Sequence, residues 1–264
     1  MEGKHKMKLS AKRRNMIFGV IVVTCILCST LSTALTTALP QMMEEFKITA
    51  AMGQWLTSVY SLVTGILVLA TAYLIKRFKT KPLYMSALAI FTVGLLLDAI
   101  TTSFIILMVG RILQAVGNGI LLALGQVILL TIYPKEKRGS VMGIYGLAVA
   151  AAPVIAPTLA GLIVDAYGWR MIFYILLFIS VLSLIATALV LENILENEKR
   201  TFDFISFLLC GVGFSGLLLG VGNAGTYSFI SVPTLLPLLI GIICCGAFVH
   251  RQLHMDTPFL ELRI

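Results

Sequence analysis

Acidic side chains are scarce in this 264-residue chain: Asp and Glu number 12 against 20 Lys and Arg, and charged residues of all kinds make up only 12%. That is about half the charge of an ordinary soluble domain. Histidine is rarer still, and His5, His250 and His254 all sit in polar flanks, where a solvated ring is the ordinary state. No H-E-x-x-H, Walker loop or nucleophile elbow occurs, so enzymatic chemistry has no motif to rest on, and no metal or cofactor is expected. Residues 211–216, GVGFSG, fit G-x-G-x-x-G but lie inside an apolar run with no strand before them, which argues against nucleotide binding. The neighbouring Gly216-x-x-x-Gly220 reads instead as a helix-packing element. Strand-like alternation is missing too, which leaves helices as the way to satisfy backbone groups in lipid.

What is abundant is hydrocarbon, with 59% hydrophobic residues. A helix crosses the bilayer core with roughly 20 apolar residues. Windows of that length give eight spans, at 16–39, 55–75, 83–101, 104–133, 140–164, 170–191, 205–222 and 229–249, with polar loops at 40–54 and 192–204. The net charge of +8 is not spread along the chain. If eight spans alternate, 17 of the 20 basic residues fall on one side, Lys47 and Arg170 fall on the other, and Arg111 lies within a span. The positive-inside rule then puts both termini in the cytoplasm. The basic arm 1–15 is free to touch anionic headgroups, and nucleic acid is not an expected partner. That arm followed by an apolar run also describes a secretory signal, with TALTTALP as a cleavage zone, but seven further spans make it an anchor that stays. The five cysteines, Cys25, Cys28, Cys210, Cys244 and Cys245, all lie inside spans, where thiols serve as small apolar residues.

Residues 72–84 and 161–173 superpose at an offset of 89, pairing Ala72 with Gly161, Lys81 with Arg170 and Tyr84 with Phe173. The first segment turns on the cytoplasmic side and the second on the opposite side. Equivalent segments of inverted topology are the construction of many secondary transporters, whose sites lie between the repeats near the midplane. On this reading 16–191 is one six-helix bundle of 3+3 repeats, 192–204 a linker, 205–249 two additional helices and 250–264 a tail.

Polar residues inside the spans are few enough to single out. Arg111, Gln114 and Asn118 recur at i, i+3 and i+7 and share one helical face. A mid-span arginine costs a few kcal/mol even on insertion scales, so such residues turn to a bundle interior or a wet cavity. The other placement is snorkelling to the outer interface, since Arg111 stands about two turns into its span. Gly117 and Gly119 leave room for a close neighbour, as do Gly146, Pro153, Pro157 and Gly161 in the small-residue fifth span, where two prolines also favour a kink. Ser29, Ser32 and Thr36, and likewise Gln54, Ser58, Ser61 and Gly65, form stripes that with the Arg111 face would line a polar seam. Trp55, Tyr60 and Tyr73 read as interfacial belt residues. Asp98 and Asp165 lie near span ends, where headgroups and water are the ordinary surroundings; because Asp98 stands one turn before the break near residue 102, an antiparallel hairpin with Arg111 in reach is the other placement.

RILQAVGNG at 111–119 and GLAVAAAPVIAPTLAG at 146–161 are similar to the span 4 and span 5 motifs of the major facilitator superfamily, specifically of its fourteen-span drug:proton antiporters. VDAYGWRMIF at 164–173 and ALPQMMEEF at 38–46 resemble the approach to span 6 and the first outer loop of the same family. The resemblance implies proton-coupled efflux of small lipophilic compounds by alternating access, with Arg111 organising the proton and Pro153, Pro157 and Gly161 serving the gate. The energy source it implies is a proton gradient. Three departures stand out. The loop after span 2 carries Lys76 and Lys79 where the superfamily offers Asp and Gly; Leu31 stands where the family has a span 1 aspartate; and TPFLELRI falls where a ninth span would begin. The partners implied are the bilayer, a small-molecule substrate and a second half or a second chain. A non-transporting membrane interaction or sensing role is the alternative.

Overall fold

A computed structural model describes residues 10–195, 203–224 and 227–255. All secondary structure among them is helical: α1 (Ala11–Phe46), α2 (Ala50–Arg77), α3 (Thr80–Ile100), α4 (Phe104–Ile132), α5 (Lys135–Tyr167), α6 (Arg170–Val190), α7 (Phe204–Ala224) and α8 (Val232–His254). Each is long and apolar enough to cross a membrane.

Several helices overrun the limits read from hydropathy. The largest difference is at 40–54, expected as a loop. There α1 continues through Pro40 to Phe46, and α2 begins at Ala50, so the connection shrinks to a turn. Proline removes one helical donor, a loss that membrane helices tolerate. Lys47 closes α1 in the left-handed conformation, and the Thr49 hydroxyl caps α2 by accepting from the Met52 amide. Helix α5 starts at Lys135 rather than near 140, and α8 continues to His254 into the stretch expected as tail. Hydropathy reports depth in lipid, whereas hydrogen bonding carries a helix into the polar interface. Most of the basic arm, the linker and the tail lies outside the described residues.

The first six helices form the inverted repeat. Helix α1 packs on α5 as α4 packs on α2, and α3 pairs with α6. At one end of the α3/α6 pair, Lys81 donates to the carbonyl of Ala188 (2.6 Å); at the other, Arg170 donates to that of Thr101 (2.8 Å). These are the two residues matched at offset 89, each placing a cation on the partner's C-terminal carbonyls, where the helix dipole favours positive charge. Between them the hydroxyls of Thr92 and Ser180 meet at 2.6 Å, a contact that the repeat relation carries almost onto itself.

Both ends of the bundle are clasped. At one end Arg170 grips Glu45 through two hydrogen bonds (2.6 and 2.8 Å), while the Trp169 indole donates to the same carboxylate at 2.8 Å. Gly168, at φ 81°, supplies the positive φ that this turn requires. At the opposite end Arg13 bonds the Val190 carbonyl and pairs with Glu192, and the Thr80 hydroxyl accepts from the amides of Ile194 and Leu195. Helix α4 occupies the centre, with Gly110 and Gly117 against α3, Gly119 against α2 and Gly125 against α1. In lipid, close packing of this kind drives helix association.

Helices α7 and α8 form a hairpin that reaches the bundle through α2. A Cβ on Gly216 would stand 2.6 Å from the Pro237 carbonyl, and one on Gly241 2.6 Å from the Leu217 amide, so these helices meet at backbone distance. The G-x-x-x-G element is thus a packing face. Asp203 and Arg251 clasp the base of the hairpin, joined by the Ser206 and Gln252 side chains.

Candidate functional site

The polar centre of the bundle is built where α2, α3 and α4 meet. Arg111 points from α4 into this contact and has no exposed surface; Gln114 and Asp98 are equally buried, and Asn118 is 5% exposed. Asp98 and Arg111 are joined through an amide. The Gln114 Nε2 donates to Asp98 Oδ2 (2.8 Å), and its Oε1 accepts from Arg111 Nη1 (2.8 Å). The other side of the guanidinium rests on α2: its Nε donates to the Leu56 carbonyl (3.3 Å), and its carbon lies 4.1 Å from the Tyr60 ring centre. Stacking of this kind adds roughly 0.5–2 kcal/mol. Asp98 Oδ1, Arg111 Nη2 and Asn118 Oδ1 are buried without a hydrogen-bond partner.

Two glycines make the network possible. A Cβ on Gly110 would stand 1.8 Å from Asp98 Oδ1, and one on Gly94 2.6 Å from the Gly110 carbonyl and 2.8 Å from the Gln114 side chain. Any larger residue at either position drives α3 and α4 apart and takes the carboxylate away from the amide. Neither glycine was singled out in the sequence, although Gly94 and Asp98 share a face of α3 at i and i+4. Tyr60, expected in the interfacial belt, is 4% exposed and lies under the guanidinium, its hydroxyl donating to the Cys28 carbonyl. Aromatic residues near a helix end have belt-like composition wherever they face, so composition alone misplaces this one.

The sequence stripes separate. Arg111, Gln114 and Asn118 face packed helices, so the expected joint seam with α1 and α2 does not form in this structure. On α1 the Ser32 and Thr36 hydroxyls donate to the Ser29 and Thr33 carbonyls of their own helix. On α2 Gln54 is exposed and bonds Thr57, Ser58 is half-buried, and Ser61 with Gly65 lines an apolar groove of about 600 Å³ shared with Phe214 and Leu217 of α7. Gly117 and Gly119 touch α3 and α2 at backbone distance, whereas Gly146 meets nothing within 4 Å and Gly161 only the Thr37 methyl at 3.8 Å. Helix α5 runs unbroken through Pro153 and Pro157, both half-buried.

An inverted-repeat bundle of membrane-spanning helices, with a charged network at its packed centre, defines a secondary-transporter fold. The profile of the Major Facilitator Superfamily matches residues 21–249. The chain belongs to that superfamily. It is 39% identical over 251 residues to the uncharacterized MFS-type transporter YcnB of Bacillus subtilis, an alignment covering 95% of this chain and 53% of that protein. It is also 39% identical to the lincomycin resistance protein LmrB of the same organism, over 88% of this chain and 49% of that protein. The chain therefore spans about half the length of these curated relatives. A crystal structure of the POT family transporter PepTSo superposes with a TM-score of 0.67 at 15% identity, covering 92% of this chain and 53% of that one, and this likeness concerns the fold.

Proposed function

We propose that the chain contributes one six-helix bundle and two accessory helices to a proton-driven exporter of small lipophilic compounds in the cell membrane, with both termini cytoplasmic. The observation that carries this reading is the buried Asp98–Gln114–Arg111 network. A carboxylate kept out of water and bonded to a side-chain amide is suited to exchanging a proton, and the guanidinium on the far side of that amide makes the two protonation states differ in packing. Asp98 takes the task for which the family's span 1 aspartate is missing at Leu31. Loading and release of its proton biases the equilibrium between inward- and outward-open states. The half-exposed stripes of α1 and α2, with Ser32, Thr36, Gln54, Ser58 and Ser61, are available to line the path opposite a second bundle. The smooth outer face of α5, with Gly146, Pro153, Pro157 and Gly161, is available to slide on it. The name of the LmrB relative supports a drug-like substrate. The chain makes no covalent change to what it carries, and the proton gradient supplies the energy.

The test is efflux of a fluorescent lipophilic cation from cells that express the chain, alone and together with the second half of YcnB. Export that collapses with the proton gradient, and is lost in Asp98→Asn and Arg111→Ala at equal expression, is the expected result. Equal dye accumulation with and without expression in both formats would overturn it.

A further inference from the structure

We infer that Gln114 is the positioning residue that reads the protonation state of Asp98 and passes it to the α3–α4 contact, an inference that rests on the reading of Asp98 as the proton-exchanging group. Its basis is the polarity of the hydrogen-bond chain. Arginine has only donors, an ionised carboxylate only acceptors, and an amide one group of each. With Asp98 ionised, a single orientation satisfies both neighbours: Nε2 toward Oδ2 and Oε1 toward Nη1, each at 2.8 Å. A proton on Oδ2 turns that acceptor into a donor and sets it against Nε2. Turning the amide over restores the bond to Asp98 but aims an N–H₂ group at the guanidinium. A proton on Oδ1 finds no acceptor there, since this oxygen is unpartnered and pressed against Gly110, and it reduces the bond at Oδ2 from a charge-assisted to a neutral one. Either placement loosens the link between α3 and α4.

Arg111 itself stays in place. Its remaining contacts, the Leu56 carbonyl and the Tyr60 ring, are on α2, and α2 is locked to α4 by the close approach of Gly119 to Leu67 and Thr64. The proton therefore leaves the α2/α4 pair intact and loosens α3 at its Asp98 end. The groups the structure places on Asp98 are Gln114 and, through it, Arg111 of α4, with Tyr60 of α2 beneath the guanidinium; the α6 hydroxyl of Ser180 meets α3 farther along, at Thr92. At the end of α3, Arg170 holds the Thr101 carbonyl, its charge matched by Glu45 of α1.

The experiment is hydrogen–deuterium exchange on the full chain in lipid nanodiscs, comparing segment 95–101 between about pH 8 and pH 5.5 after correction for the intrinsic pH dependence of exchange. Losing one charge-assisted hydrogen bond predicts exchange faster by about ten- to a hundredfold at the acid end. Asp98→Asn is expected to exchange fast at both pH values. Gln114→Met is expected to lose the pH response while the α7–α8 hairpin keeps its protection; Gln114→Asn, whose shorter amide cannot reach both neighbours, has the same expected outcome and serves if Gln114→Met fails to fold. A pH response that persists in the Gln114 variants and vanishes in Asp98→Asn overturns the role of Gln114 and leaves that of Asp98 standing. A chain with no pH response, matched by Asp98→Asn, overturns both.

Discussion

Gly110→Ala tests the packing on which the buried network depends, and it needs no transport assay. The new Cβ would stand 1.8 Å from Asp98 Oδ1, 2.7 Å from Asp98 Cγ and 3.0 Å from the Gly94 carbonyl. The first two atoms belong to a carboxylate buried with 0% exposure and already bonded to Gln114, so it has no solvent to swing into. Relief requires the carboxylate to leave Gln114 or α3 to move off α4. The first forfeits a charge-assisted hydrogen bond, about 1.5–3 kcal/mol; the overpacking adds about 1–3 kcal/mol. Alanine returns roughly 1 kcal/mol through its better helix propensity. The net expectation is a destabilisation of about 3 kcal/mol, read as a shift in the denaturation midpoint of the purified chain in detergent micelles. Gly146→Ala, with nothing within 4 Å, serves as the control and is expected to change stability by about 0.5 kcal/mol or less. Because the clash is with one side chain, Gly110→Ala and Asp98→Ala are expected to be non-additive, the pair costing about 1.5–3 kcal/mol less than the sum. Wild-type stability in Gly110→Ala, or strict additivity with Asp98→Ala, would refute the reasoning.

Tyr60 contributes through its ring, its hydroxyl bond being long at 3.4 Å, so Tyr60→Phe is expected to stay near wild-type stability while Tyr60→Leu loses about 1–2 kcal/mol, measured by the same denaturation series. The hairpin clasp is expected to respond to acid. Burial by itself would raise the Asp203 carboxyl, but hydrogen bonds from Arg251 and Ser206 outweigh it and hold the group below the ordinary carboxylate range. The folded chain thus binds this proton more weakly than the unfolded one, so the stabilisation is complete above about pH 4 and is lost as pH falls through the lowered value. Stability followed downward from pH 6 should therefore fall more steeply in wild type than in Asp203→Asn; parallel curves would exclude the clasp as a source of acid sensitivity.

How much of the site could be read beforehand follows from the range of each interaction. That Asp98 and Arg111 flank one tight turn on consecutive helices is a matter of counting residues, and their approach was legible as hairpin geometry. Gln114 was legible as a member of the same face. What the amide does between them was not, because the face of α4 that carries it meets α3 and α2, and nothing local to 110–126 says which neighbours those are. The same gap explains the expected seam. Hydroxyl stripes on α1 and α2 are periodic, but periodicity identifies a face without naming what it faces. Tyr60 reads as a belt residue for the same reason, and the pair Gly94 and Gly110 carries no local signal, since a glycine is significant only when another group stands where its Cβ would be.

The sequence by itself determined that the chain carries eight membrane-spanning segments, that their alternation gathers 17 of the 20 basic residues on one side, and that one half of its bundle repeats the other inverted. These properties follow from transfer free energies and charge counts that add residue by residue along the chain. Only the tertiary structure decided that Arg111 is closed off between helices, that an amide stands between it and Asp98, and that two glycines hold them together. Those outcomes depend on which surfaces meet at separations of a few tenths of an ångström, and such fits are made between segments far apart in the chain, where no local pattern records them.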